Sequence, residues 1–314
     1  MKTKIMMAAL ALLAVASACR NGEWDLETRQ DNRVPVKFSD TTWGVSAVTR
    51  VTDDVFDDGD MLSISVVKND TSAFGDVLQK SGNYADNFCY RSNGTFFISQ
   101  GDTIWQHHSV PLDLIYYALY PYRATLDTTF TFTAMSDQST AANYAASDLC
   151  MQKLATRKDS VVLQLKHKMS CIEVDLKGYQ LDQIAGGLGV ALLKRYTQVQ
   201  AYQNGQRVAT IETLLPTAQT LKMYNCYSSS TVYKYRAMVA PQTIEEGDNL
   251  LTISIGGMPS TIPCPNTLTI KSGQRLRLEY EVEVADNVVA ITYGGEEIEE
   301  NPVDSRIDVR PRKR

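Results

Sequence analysis

Apolar and polar residues alternate with a period of two through much of this chain, in short runs separated by Gly, Asn, Asp and Ser. LSISVV (62–67), TFFIS (95–99), TIWQHHSV (103–110) and LDLIYYALY (112–120, stopped by Pro121) show it first, followed by Phe130-Thr131-Phe132. Side chains two residues apart share one face of an extended strand, so each run predicts a strand. No helical period is sustained between residues 61 and 132. The second half has the same character. TQVQAYQ and QRVATI flank Asn204-Gly205, the pair a type I′ hairpin turn demands. KYRAMVA, LLTISIG, TLTIK, RLRLEYEVEV and VVAITY follow, the last ending near Tyr293. Short strands between turn signals predict an all-β chain of sandwich type with antiparallel connections.

The stretch 136–176 stands between the two halves. Val161, Leu163 and Leu165 alternate, and after His167 the pattern resumes with a shift at Met169, Cys171, Ile172 and Val174. Such a shift marks a bend or bulge where one strand ends and another begins. Residues 140–155 have room for a helical turn or two. Two tandem β-sandwich domains are expected, over residues 34–158 and 159–295. The charged tail, 296–314, carries Val303, Ser305, Ile307 and Val309 in alternation. Near the start, Val34, Val36 and Phe38 form a short strand whose Pro35 confines it to a sheet edge or a strand start.

Residues 1–18 read as a signal peptide. Lys2 and Lys4 precede an apolar run too short to span a bilayer, and Ala16-Ser17-Ala18 leads to Cys19. A cysteine at the cleavage position points to lipid attachment at Cys19, with residues 19–33 as a polar tether and the outer membrane as the anchoring surface. The net charge is −5, and removal of Lys2 and Lys4 takes it to −7, which argues against nucleic acid as a partner.

Reactive chemistry is sparse. Cys89, Cys150, Cys171, Cys226 and Cys264 remain after the leader and allow at most two disulfides. None forms a CxxC, and their spacing is not that of a zinc site. Cys171 reads as a core residue. His107 and His108, adjacent in a strand, face opposite sides. His167, at the bend, reads as a hydrogen-bonded histidine rather than a catalytic one. The glycines at 186, 187 and 189 complete neither GxGxxG nor a P-loop. Asp53, Asp54, Asp57, Asp58 and Asp60 fail the EF-hand spacing and read as a solvated turn around Gly59. Tyr116, Tyr117, Tyr120 and Tyr122 read as core packing rather than a sugar-stacking surface. No catalytic residue, metal or cofactor is expected.

A series of motifs in order resembles the fimbrillin family (Mfa-like and FimA-like) of Bacteroidales lipoproteins, which contains pilus subunits and tip adhesins. The residues are TRVT (49–52) leading to FDDGDMLSISV (56–66), YYALYPY (116–122), and DQS with Tyr144, Ser147-Asp148-Leu149, HKMS (167–170) and IEVDL (172–176). VAPQTI (239–244), ISIGG (253–257) and SGQRLRLEYEVEV (272–284) complete it. The resemblance implies transthyretin-like, Greek-key sandwiches and a structural or adhesive role in a surface fimbria, assembled with other fimbrial subunits. It implies cleavage by an arginine-specific protease at Arg50, displacement of the strand of Val34, Val36 and Phe38, and its replacement by a donor strand. The tail strand of Val303, Ile307 and Val309 is the candidate donor. SDTT, GDTI, LDTT and KDSV resemble the O-glycosylation acceptor pattern of secreted proteins from related bacteria, at Thr41, Thr103, Thr128 and Ser160. The competing reading is a non-polymerising surface adhesin that binds a host or bacterial glycan or protein. An enzyme such as a glycosidase would need two convergent carboxylates.

Overall fold

The computed structural model describes residues 32–39, 56–69, 83–126, 129–178, 188–193, 196–200, 210–212, 219–255, 258–285 and 288–299. The chain begins with β1 (Arg33–Pro35), β2 (Lys37–Ser39), β3 (Met61–Lys68), β4 (Ala85–Ser92), β5 (Phe96–Ser99), β6 (Trp105–His107), β7 (Leu114–Tyr120) and β8 (Thr129–Thr133). After helix α1 (Ala141–Ala146) come β9 (Cys150–Thr156), β10 (Ser160–Val162), β11 (Lys166–His167) and β12 (Ser170–Gly178). Next are β13 (Leu188–Leu193), β14 (Tyr196–Gln200), β15 (Thr210–Glu212), β16 (Gln219–Lys222), β17 (Tyr224–Ser228) and β18 (Val232–Val239). The last are β19 (Gln242–Ile244), β20 (Asn249–Ile255), β21 (Met258–Pro263), β22 (Leu268–Ile270), β23 (Arg275–Ala285) and β24 (Val288–Glu299).

An eight-stranded sheet in the order β10-β2-β5-β4-β3-β7-β9-β11 carries the first core. Period two sorts its side chains. Leu62, Ile64 and Val66 of β3 and Leu114, Tyr116, Ala118 and Tyr120 of β7 enter this core, while Val67, Ile115 and Tyr117 pack together on the opposite face. Tyr116 and Tyr120 are therefore interior residues and offer no exposed platform for a sugar ring.

The second core lies between a five-stranded sheet, β17-β18-β12-β23-β24, and a four-stranded one, β16-β13-β20-β21. Ile172, Val174 and Leu176 of β12 and Leu276, Leu278, Tyr280 and Val282 of β23 pack with Leu221 of β16 and with Leu251 and Ile253 of β20. Two sheets sharing one apolar interior make a sandwich.

Several features depart from the expectations. Val161, Leu163 and Leu165 belong to the first core, and β10 pairs with β2, so the change of core falls after Leu165 rather than at Lys158. The β2–β10 and β12–β23 pairs are parallel, not antiparallel. The last strand does not stop near Tyr293. A register shift opposite Glu279 and Tyr280 lets β24 pass Gly294 and Gly295 and pair as far as Glu299, opposite Arg275.

The stretch after Ser136 ties the two cores together. The Lys222 N–H donates to the Ser136 carbonyl (2.8 Å), and the Gln138 N–H donates to the Lys222 carbonyl (2.9 Å). The buried Gln138 amide accepts from the Met238 N–H and donates to the Met238 carbonyl, both at 2.8 Å, as a strand neighbour would. Thr140 then caps α1 by accepting from the Asn143 N–H. Around this helix a third cluster joins Leu119, Phe130, Phe132, Tyr144 and Met151 to Met169, Cys171 and Met238. Strand β8, read as part of the first sandwich, pairs instead with β14.

Candidate assembly site

Within the segment 33–39, β2 fills a slot in the first sheet, while β1 pairs with β6 in a separate two-stranded sheet. β2 lies between β5, with Phe38 opposite Phe97, and β10, with Phe38 opposite Val161. The Val36 N–H donates to the Ile104 carbonyl (2.9 Å), the Lys37 N–H to the Asp159 carbonyl (2.7 Å), and the Leu163 N–H to the Ser39 carbonyl (2.7 Å). Alternation places Val36 and Phe38 inward, at 4% and 0% exposure. The Phe38 ring meets Tyr90 and Tyr116 edge-on at centroid distances of 5.0 and 5.6 Å. Val34 is half-buried on β1, which pairs with β6 alone among the described strands. Pro35 has no N–H to give a second neighbour, and an edge position does not ask for one.

Taking this segment away would leave unpaired N–H and C=O groups on β5 and β10 and an aromatic pocket without its ring. The first described residue beyond Arg50 to enter this core is Phe56, at 1% exposure, with its ring against Phe97 (5.0 Å) and Tyr120 (5.3 Å). Thus the same core holds chain from both sides of Arg50. Arg50 itself lies outside the described residues, as do Cys19, Thr41, Thr128, Val303, Ile307 and Val309. Thr103 is half-buried just before Ile104, and Ser160 is exposed at the start of β10, opposite Lys37.

Around Gly59, which takes φ +100°, the acidic residues form a turn. Asp60 accepts from the Asp57 N–H (2.8 Å) and from the Tyr120 hydroxyl (3.2 Å), and burial pushes its carboxyl up. Its oxygens thus hold the start of β3 onto β7. His107 lies half-buried on β6 and His108 is exposed beyond it. Among the described residues no disulfide joins Cys89, Cys150, Cys171, Cys226 or Cys264.

His167 has buried partners. Its Nδ1 lies 2.6 Å from Asp148 Oδ2 and 3.4 Å from Cys150 Sγ. A cysteine nucleophile needs a base on one ring nitrogen and an orienting carboxylate on the other. Here one nitrogen faces both groups, and burial, with the Asp148 carboxylate, pushes the Cys150 thiol far up. The constellation is not a nucleophilic triad.

An ion-pair array on the second sheet went unnoticed in the sequence. Glu173 and Asp175 are 1% and 2% exposed, on the side of β12 away from the second core. Glu173 meets Arg236 Nε at 2.6 Å and Arg277 Nε at 3.3 Å, while Asp175 meets Lys234 Nζ at 2.9 Å and Arg277 Nη2 at 3.1 Å. Burial alone would raise the Glu173 carboxyl, but Arg236, Arg275 and Arg277 outweigh it and hold the group below the usual carboxylate range. The array braces β18, β12 and β23 laterally.

The fold and the slot define a class: β proteins with two packed cores whose first sheet is completed by a short strand inserted from the start of the described chain. The model of the fimbrillin-like family matches residues 49–299, and the chain belongs to that family. Membership makes it a structural or adhesive component of a fimbria, a cell-surface appendage built with other subunits. No curated protein sequence matches the chain. Among solved structures, it is similar to a candidate cell-adhesion protein from Bacteroides uniformis at 15% identity, covering 87% of this chain and 99% of the other, with a TM-score of 0.57. A second such protein, from Bacteroides ovatus, matches at 16% identity over 84% and 97% of the two chains, TM-score 0.56. A third, from Bacteroides fragilis, matches at 9% over 86% and 100%, TM-score 0.53. At these identities the likeness is one of fold.

Proposed function

We propose that this fimbrial component assembles by strand exchange at the slot now filled by β1 and β2, from the outer membrane surface where Cys19 carries the lipid. Cleavage at Arg50 leaves residues 34–39 attached to β5, β6 and β10 by non-covalent contacts alone. A neighbour's strand then takes their place, with Val303, Ile307 and Val309 facing the pocket in alternation. The observation that carries this reading is the position of β2: three residues long, paired on both sides, and anchored by the fully buried Phe38. Main-chain pairing supplies affinity in added-strand complexes, and alternate side chains in pockets supply register.

The test is treatment of the full chain with an arginine-specific protease, followed by electrophoresis for SDS-resistant ladders. A version ending at Glu299 keeps β24 whole and removes the candidate donor. Ladders are expected from the full chain and not from the shortened one. Ladders that persist without the tail eliminate it as donor. An uncut Arg50 with no ladders makes this protein a non-polymerising adhesin.

A further inference from the structure

Asp148, Cys150 and His167 lie away from the slot, where the first sheet ends and β12 begins. Their convergence follows from register. His167 on β11 is the cross-strand partner of Cys150 on β9, and Asp148 precedes Cys150 by two residues, so the three side chains come to one side of the sheet. Asp148 Oδ2 lies 2.6 Å from His167 Nδ1 and 3.5 Å from Cys150 Sγ, and Sγ lies 3.4 Å from Nδ1. All three ligand atoms fall within 4.8 Å of one another. Asp148 is fully buried, and its Oδ1 has no hydrogen-bond partner among the described residues.

We propose that Asp148, Cys150 and His167 bind a divalent zinc-type cation with one coordination position left open. Thiolate, imidazole and carboxylate together are the donor set of zinc. Bonds of about 2.0–2.3 Å at tetrahedral angles separate ligand atoms by roughly 3.3–3.7 Å. The two distances to sulfur already match. The Oδ2–Nδ1 distance is that of a hydrogen bond and opens by less than about 1 Å on metal binding, through rotation of the His167 ring, the most exposed of the three. Charge balances as well. The cation displaces the thiol proton to solvent, and a carboxylate, a thiolate and a neutral imidazole then neutralise two positive charges. Asp60 adds negative charge nearby, and Lys168 opposes it. The cation would clamp the two-residue edge strand β11 to β9 beside the passage from the first core to the second.

The probe is Co²⁺ added to the full-length protein, read by the thiolate-to-cobalt charge-transfer band, with Zn²⁺ as competitor. One equivalent is expected to saturate the band and Zn²⁺ to bleach it. Cys150→Ser should abolish the band, and His167→Gln should weaken affinity at least about tenfold. A Cys89→Ser/Cys226→Ser variant should leave both intact. Should Cys150→Ser fail to fold, His167→Gln, whose ring is partly exposed, decides by the same affinity measurement. No band in the unaltered protein, a band that survives Cys150→Ser, or unchanged affinity in His167→Gln overturns the proposal.

Discussion

Strands β2 and β23 each lie between two partners, yet one is three residues long and the other eleven. β23 is held by ladder: it pairs in parallel with β12 from Arg275 to Val282 and antiparallel with β24 along its whole length. β2 has little ladder and is held mainly by what it buries, Phe38 between Tyr90 and Tyr116 and Val36 beside it. A fully buried apolar side chain contributes about 1.5–3 kcal/mol, so a few such anchors secure a short strand without many backbone bonds. On the strand-exchange proposal, the difference separates the position that changes occupant from one that keeps it. Another strand with suitable alternate side chains could replace β2 while β5 keeps β4 and β10 keeps its own buried Val161.

The sharpest way to break this comparison is Phe38→Ala. It should destabilise the first core by about 3–5 kcal/mol and speed ladder formation after cleavage, because the occupant leaves more easily. Leu278→Ala, at a matching position in β23, should cost about 2–5 kcal/mol and leave the rate of ladder formation alone. Urea unfolding and time-resolved electrophoresis read the two effects. Equal acceleration in both variants would mean that general loosening, rather than the occupant, controls exchange.

Next in size is Glu173→Gln. Removing one member of a buried charge array costs about 3 kcal/mol or more, since Arg236 and Arg277 keep their charge. The Glu173 carboxyl sits below its ordinary value of 4.5, so its contribution is complete above that pH and is lost as pH falls through the folded value. The variant should therefore lose stability at neutral pH and show a flatter decline in acid. Urea midpoints at several pH values check this, and an unchanged acid slope would assign the decline to other carboxylates.

Smallest is Thr140→Ala, which removes the α1 cap and should cost about 1 kcal/mol. Because α1 packs in the cluster shared by the two cores, the loss should appear in the unfolding of both. A change confined to one would make the helix an appendage of that core.

Much of the strand content was legible because a buried face imposes period two, and β3, β12 and β23 show it plainly. The helical turn after Thr140 was legible as well. Pairing was not. Nothing local in KFS or SVV says that Lys37–Ser39 and Ser160–Val162 run parallel beside each other, since the match depends on more than a hundred residues folding between them. Glu173 and Asp175 look like the solvated face of IEVDL until Lys234, Arg236 and Arg277 arrive on neighbouring strands. Of the three convergent residues at the end of the first sheet, Asp148 and Cys150 could be placed together by spacing, but His167 joins them only through the β9–β11 register.

The extension of β24 to Glu299 determines where any later part of the chain sets out. Glu299 is opposite Arg275, and Arg275 follows the turn at Ser272 and Gly273, whose hydroxyl and N–H bond the carbonyls of His167 and Met169. Whatever follows Glu299 therefore sets out close to the crossing between the cores. Under the strand-exchange proposal the reach of a donor that follows Glu299 is measured from that crossing, and each residue spent covering the interval is one fewer for pairing.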